Sequence, residues 1–291
     1  SDGHSTLLTN VKTINVERMV STKTQMAPEL DVRTRYTVSL AGCIQTANVA
    51  NCHLSGGSEI IALTVTGGIT GTKDSVYITG NFLEAAARGG ATTHFDYRNL
   101  FVTGNRFYDC NQAVDMRLGG TFSNNVVRAT GGRMAGGLPG TLDMAVQLGA
   151  GTQNFVARNN DISDVLRGYY MPPALDHFRP PGDISIVGDV MRNVRAYGVT
   201  LDYNGGSGAA LDATLGRLTI KAEISLASSG SPVAVLAKGR WNSPDIDVTV
   251  RGGTATSRAV FLTRPDASVS ITDGPIDPVI ATRREAVILA T

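Results

Sequence analysis

An all-β solenoid, in which short parallel strands stack coil on coil, is the fold class this sequence predicts, and three observations predict it. The composition is 42% hydrophobic and only 18% charged, with 33 Gly and 11 Pro in 291 residues. That is too apolar for disorder and too rich in turn formers for a helical protein. Short segments alternating apolar and polar residues recur along most of the chain, as half-buried strands require. The third observation is a repeated two-part unit. Asn99-Leu100-Phe101-Val102-Thr103-Gly104-Asn105-Arg106-Phe107 alternates, turns at Gly-Asn and drops one apolar residue. Ala113-Val114-Asp115-Met116-Arg117-Leu118-Gly119-Gly120 then alternates again and ends on a glycine pair. Neither half buries its apolar face alone, so near-copies must stack.

Two registers carry the repeat. The residue two after each Gly-Asn-type corner is Leu83, Phe107, Val127, Ile162, Met191 and, more weakly, Ile224. The second register runs through Val114, Val146, Tyr169, Val199, Val233 and Val260. Both advance at roughly 20 to 35 residues, the range of solenoid repeats. Helical spacing is nearly absent; Glu84-Ala85-Ala86-Ala87-Arg88 allows one turn.

In chain order, residues 1–59 read as irregular N-terminal coils or a cap, with strand-like Thr13 to Val16 and Tyr36 to Leu40. Residues 60–208 form the main stack. Within it Asn81, Asn105, Asn125 and Asn160 take one position of the repeat, where a bend tolerates the left-handed region and stacked amides can bond along the rod. Residues 209–291 keep strands but lose the Gly-Asn corners and gain Pro232, Pro244, Pro265, Pro275 and Pro278, as final coils or a terminal β-rich section. The apolar end Ala286-Val287-Ile288-Leu289-Ala290 requires a cover, such as another subunit. The chain starts at Ser1 with periodic sequence close behind and no signal peptide, which reads as part of something longer. Cys43, Cys52 and Cys110 fit no metal spacing; Cys43 and Cys52 either pair or remain buried free thiols.

Function classes narrow by exclusion. A formal net charge of +1 gives no electrostatic footprint for nucleic acid, and no run of 18 apolar residues exists for membrane insertion. No P-loop or dinucleotide fingerprint appears, and His4, His53, His94 and His177 are scattered, so neither a cofactor nor a metal is expected.

The chemistry-bearing residues gather on the outward side of the second register. They are Asp115 and Arg117, Gln147, Tyr170, and Thr200 with Asp202, followed by Ala234 and Phe261. Gln112, Asp143, Arg167 and Tyr197 come immediately before these strands. Three long connections, Thr130 to Thr141 with Arg133, Pro172 to Asp183 with Asp176, His177 and Arg179, and Asn204 to Thr214, project beside that face and make a groove. Asp115, Asp143 and Asp202 are the candidate catalytic acids, since glycoside hydrolysis needs two carboxyls. Arg117, Gln147, Arg167, Tyr170, His177 and Arg179 are the candidate substrate-binding residues, with cations to neutralise acidic sugars.

The V-x-I-x-G-N-x-F and A-V-x-L strands over roughly residues 60 to 270 resemble the right-handed single-stranded parallel β-helix of the pectin-lyase-like superfamily. That resemblance implies a carbohydrate lying along one face of the rod, as in pectate lyases, polygalacturonases, alginate lyases and bacteriophage tailspikes. The polygalacturonase G-D-D-x-I-x-I arrangement is missing, with Asn111 and Gln112 ahead of Ala113-Val114-Asp115-Met116, and Asp143-Met144-Ala145 stands where Gly-His-Gly would be. Asp176-His177-Phe178-Arg179-Pro180-Pro181 matches neither the pectate lyase nor the epimerase spacing. The expectation is a tailspike-type depolymerase, extracellular or virion-associated and homotrimeric, that binds and cleaves an acidic surface polysaccharide. The alternatives are a secreted polysaccharide lyase or glycoside hydrolase unrelated to phage, and a β-helix that binds carbohydrate or builds structure without catalysis.

Overall fold

A computed structural model describes residues 6–22, 36–64, 71–93, 97–129, 142–149, 151–172, 180–203, 213–254, 256–262, 268–273 and 287–289. No helix occurs among them. All strands belong to two parallel sheets, one of 11 strands and one of 16. In the first sheet each strand pairs with its copy from the next coil, from Thr6–Thr9 through Gln112–Met116 to Val287–Leu289. The second sheet contains two such runs, divided by a corner in every coil from the one after Glu17 to the one after Arg158. One coil therefore reads Tyr97–Thr103, corner, Arg106–Tyr108, second turn, Gln112–Met116. This is a parallel β-solenoid.

The first sequence register is present without change: Leu83, Phe107, Val127, Ile162, Met191 and Ile224 are successive Cα partners. The second holds through Val114, Val146, Tyr169 and Val199. It then moves to Val235, not Val233, before reaching Val260. A two-residue slip keeps the same side-chain parity, so alternation alone could not separate the two valines. In consequence Leu236, not Ala234, is the partner of Thr200, and Ala234 is buried. Glu84 ends a strand and Ala85 turns with φ 58°, so no helical turn forms there.

The corner divides labour between two residues. The left-handed conformation falls on the first, with φ 65° at Gly80, 67° at Gly104, 55° at Asn124 and 54° at Asn159. Glycine and asparagine tolerate that region at least cost. The second residue, Asn81, Asn105, Asn125 or Asn160, is buried and carries the chain inward. The αL role belongs to its predecessor.

These four asparagines form a one-way ladder. Asn105 Oδ1 accepts from the backbone N and from Nδ2 of Asn81, both at 2.9 Å. Asn125 Oδ1 accepts from Asn105 N at 2.9 Å and Nδ2 at 3.1 Å, and Asn160 Oδ1 accepts from Asn125 at the same two distances. Each Nδ2 also donates to a backbone carbonyl one coil back, such as Ile78 O at 2.8 Å from Asn105. No buried amide of the ladder lacks a partner, which is what burial of a polar group demands.

At the next coil the corner is Gly188-Asp189, and the two runs of the second sheet meet in the strand Ile184–Val194. Val187 and Asp189 pair with the consecutive residues Lys221 and Ala222, so Gly188 is a bulge. Beyond it Thr214–Leu226 and Arg240–Gly252 run 13 residues each without a corner. Lys221 and Ala222 are consecutive, as are their partners Asp247 and Val248, so neither strand has a residue at the place of Gly188, and the bend disappears. The change in character noticed after residue 208 thus has a backbone cause.

The interior is a continuous apolar column that includes Leu83, Phe107, Phe122, Phe155, Tyr169 and Met191. All three cysteines are free; Cys52 and Cys110 are buried as thiols, while Cys43 is exposed and unpaired. Cys43 therefore fits neither reading made of it.

Candidate functional site

In the first sheet, strand alternation turns one row of side chains away from the core. Val114 and Met116 lie inside, so Asp115 between them faces out; Gln147 is flanked by Val146 and Leu148, Tyr170 by Tyr169 and Met171, and Thr200 by Val199 and Leu201 in the same way. Asp115, Gln147, Tyr170 and Thr200 are successive Cα partners on four adjacent coils. A linear polymer lying along the rod would meet one of these side chains per coil.

Asp115 is 4% exposed despite its outward direction. Its Oδ2 accepts from Arg117 Nε at 2.9 Å, while Oδ1 is buried and has no hydrogen-bond partner. Burial is the main cause that pushes its carboxyl up to about 6, against the lowering charge and hydrogen bond of Arg117, with Glu59 raising it further. A carboxyl titrating there is suited to proton transfer near neutral pH. Thr200, 3% exposed, also has a buried hydroxyl without a partner. Gln147 and Tyr170 between them are only half-buried. The Arg167 guanidinium lies over the Tyr170 ring, 4.6 Å from its centroid.

The three candidate acids are not brought together. Asp202 lies three coils beyond Asp115, a strand separation of about 14 Å. It forms an ion pair with Lys238, with Nζ 3.0 Å from Oδ1 and 3.1 Å from Oδ2. Asp143 is in the coil next to Asp115, but four residues before Gln147, the partner of Asp115. That offset is about 13 Å along the strand. Met144 rather than Asp143 pairs with Gln112 and Arg167. The side chain of Asp143 lies outside the described residues, as do Arg133, Asp176, His177 and Arg179.

One acid escaped the sequence reading. Glu59 heads the strand Glu59–Thr64, and its row continues through Gly89, Gln112, Met144, Arg167 and Tyr197. Its Oε2 accepts a short hydrogen bond from the Thr92 hydroxyl, one coil on. The signal was its place immediately before Ile60-Ile61-Ala62-Leu63, the same place as Gln112 and Arg167.

Other parts of the surface differ in kind. A cavity of about 520 Å³ lined by Asn10, Lys12, Cys43, Gln45, Asp74 and Arg98 contains none of these residues. No group of three or more His, Cys, Asp or Glu side chains suited to a metal occurs among the described residues. No helix there is long and apolar enough to cross a membrane. No family model matches the chain, and no curated protein and no solved structure matches it either.

Proposed function

We propose that this chain is a right-handed single-stranded parallel β-helix of the pectin-lyase-like kind that binds an acidic polysaccharide along the outward row of its first sheet and cleaves it. The observation that carries this reading is the row itself: Asp115, Gln147, Tyr170 and Thr200 on four successive coils, with a carboxyl raised to about 6 at one end. Asp115 serves as the acid–base group. Arg117, beside it, and Arg167, over Tyr170, supply cations for the substrate's carboxylates. Tyr170 offers a ring and Gln147 an amide to the sugar hydroxyls between them. The setting that fits is a tailspike-type depolymerase, outside the cell or on a virion, assembled as a homotrimer.

The test is a panel of purified capsular and lipopolysaccharide glycans, scored by reducing ends and by absorbance at 232 nm for unsaturated products. Cleavage that Asp115→Asn abolishes supports the reading. A panel in which glycans bind but none is cut leaves a carbohydrate-binding β-helix, and a panel with neither binding nor cleavage removes the reading altogether.

A further inference from the structure

We infer that Glu59 is the second carboxylate of the site, acting with Asp115 so that the cleavage is hydrolytic. This rests on the reading above and narrows it from cleavage in general to one reaction. Hydrolysis of a glycosidic bond needs two carboxyls at the two sides of one anomeric carbon, separated by about 5 to 9.5 Å according to stereochemistry. The backbone separations of Asp143 and Asp202 from Asp115 are about 14 and 16 Å on strand geometry. The backbone of Glu59 is as far, two coils from Asp115 and three residues before its place on the strand, since Glu59 shares a row with Gln112. Its side chain reaches to the Thr92 hydroxyl of the intervening coil. Thr92 follows Ala91, the partner of Val114, so Thr92 stands beside Asp115 on the adjacent strand, and the reach of Glu59 carries its carboxyl there from three residues back. The proximity is felt electrostatically, since Glu59 is among the charges that raise Asp115.

Two acids close together do not make a site alone. The same outward row holds two polar atoms with no protein partner on side chains more than nine-tenths buried, Asp115 Oδ1 and Thr200 Oγ1. Native proteins rarely bury such atoms without one. Their place on one row, on either side of half-buried Gln147 and Tyr170, fits the polar edge of a bound sugar chain.

The roles follow from the surroundings. Asp115, held largely out of water, gives its proton to the glycosidic oxygen as the bond from that oxygen to the anomeric carbon breaks. Glu59, oriented by the Thr92 hydroxyl, takes a proton from a water whose oxygen forms the new bond to that carbon. The products are a reducing end and a free hydroxyl, with the water's atoms divided between them. No oxidant, reductant or metal enters the balance.

The experiment uses the full chain and whichever panel glycan it cleaves. Glu59→Gln is expected to lower kcat at least 100-fold while the affinity for that glycan stays within about threefold. Glu59→Asp, shorter by one methylene, keeps the charge and is expected to recover part of the kcat that Glu59→Gln loses at unchanged affinity, which a purely structural role would not produce. Products carrying ¹⁸O from labelled water at the new reducing end support hydrolysis. Absorbance at 232 nm, or a Glu59→Gln variant at full rate while Asp115→Asn is dead, overturns the inference and leaves the proposed function standing. Wild-type protein that cuts nothing overturns both.

Discussion

Asn160 donates its backbone N–H at 2.9 Å and its side-chain Nδ2 at 3.1 Å to Oδ1 of Asp189, so the asparagine ladder ends on a carboxyl. Nδ2 also approaches Oδ2 at 3.2 Å, and that oxygen takes the Tyr169 hydroxyl. Every contact is a donor given to Asp189. Burial nevertheless pushes its carboxyl up, with the bonds from Asn160 and Tyr169 opposing, and burial and the adjacent carboxyl push the Tyr169 phenol up.

A group whose folded pKa is raised favours folding most below its unfolded value and loses that contribution as pH rises through the folded value. Wild-type stability at Asp189 should therefore fall as pH rises from the ordinary carboxylate value of 3.8. Asp189→Asn removes the charge and keeps the acceptor. Melting temperatures from pH 3 to 8 should show the variant gaining on wild type with rising pH, and a pH-independent difference would contradict the assignment.

Asn105 is the interior counterpart. Asn105→Ala leaves the Asn81 backbone N–H without an acceptor and its Nδ2 with Val49 O alone, and buried groups so stripped cost about 1–3 kcal/mol each. Denaturant unfolding should show a loss of about 3 kcal/mol. Asn105→Asp should also destabilise, because it replaces the Nδ2 that serves Asn125 Oδ1 and Ile78 O with another acceptor. Aspartate suits the last rung and no earlier one.

The first corner residue gives a sharper contrast. Gly104 sits at φ 67°, and an added Cβ would come no nearer than 4.0 Å to Gly80 N. Gly104→Asn should be nearly neutral, since Asn124 and Asn159 already fill that place. Gly104→Val should cost about 1–2 kcal/mol through backbone strain alone. Equal melting temperatures for the two variants would remove the conformational argument.

At Asp115 the sign is the same as at Asp189 but the value is defined. Its contribution to stability is present below 3.8 and lost as pH rises through about 6. If it acts as the proton donor, kcat/KM should fall above about pH 6 in wild type. Arg117→Ala removes the cation that lowers this pKa, so the alkaline limb should move to higher pH. An unmoved limb would separate Arg117 from the titration.

The residues show how far sequence reaches. Corners were legible because Gly-Asn, Asn-Asn and Gly-Asp mark one backbone event, and the apolar residue after them inherits a fixed register. Val233 and Val235 were not separable, because both satisfy an alternation of period two. Glu59 was visible as a residue and invisible as a partner. Its reach to Thr92 crosses from one coil to the next, and intervals along the chain carry no information about which side chains bridge them. Asp143 erred in the opposite direction: its place before a strand was read as a row position, which pairing gives to Met144.

The ladder has a direction, and that direction governs how such a rod could grow. Between Asn81 and Asn160 each coil both takes from its predecessor and gives to its successor. A coil duplicated within that span would insert with every amide served, lengthening the protein by one unit. Past Asp189 the chain has no amide to receive the next coil and no bend to aim it. The carboxyl thus marks where duplication stops being free, and the straight strands beyond it are a terminus that the repeat cannot copy through.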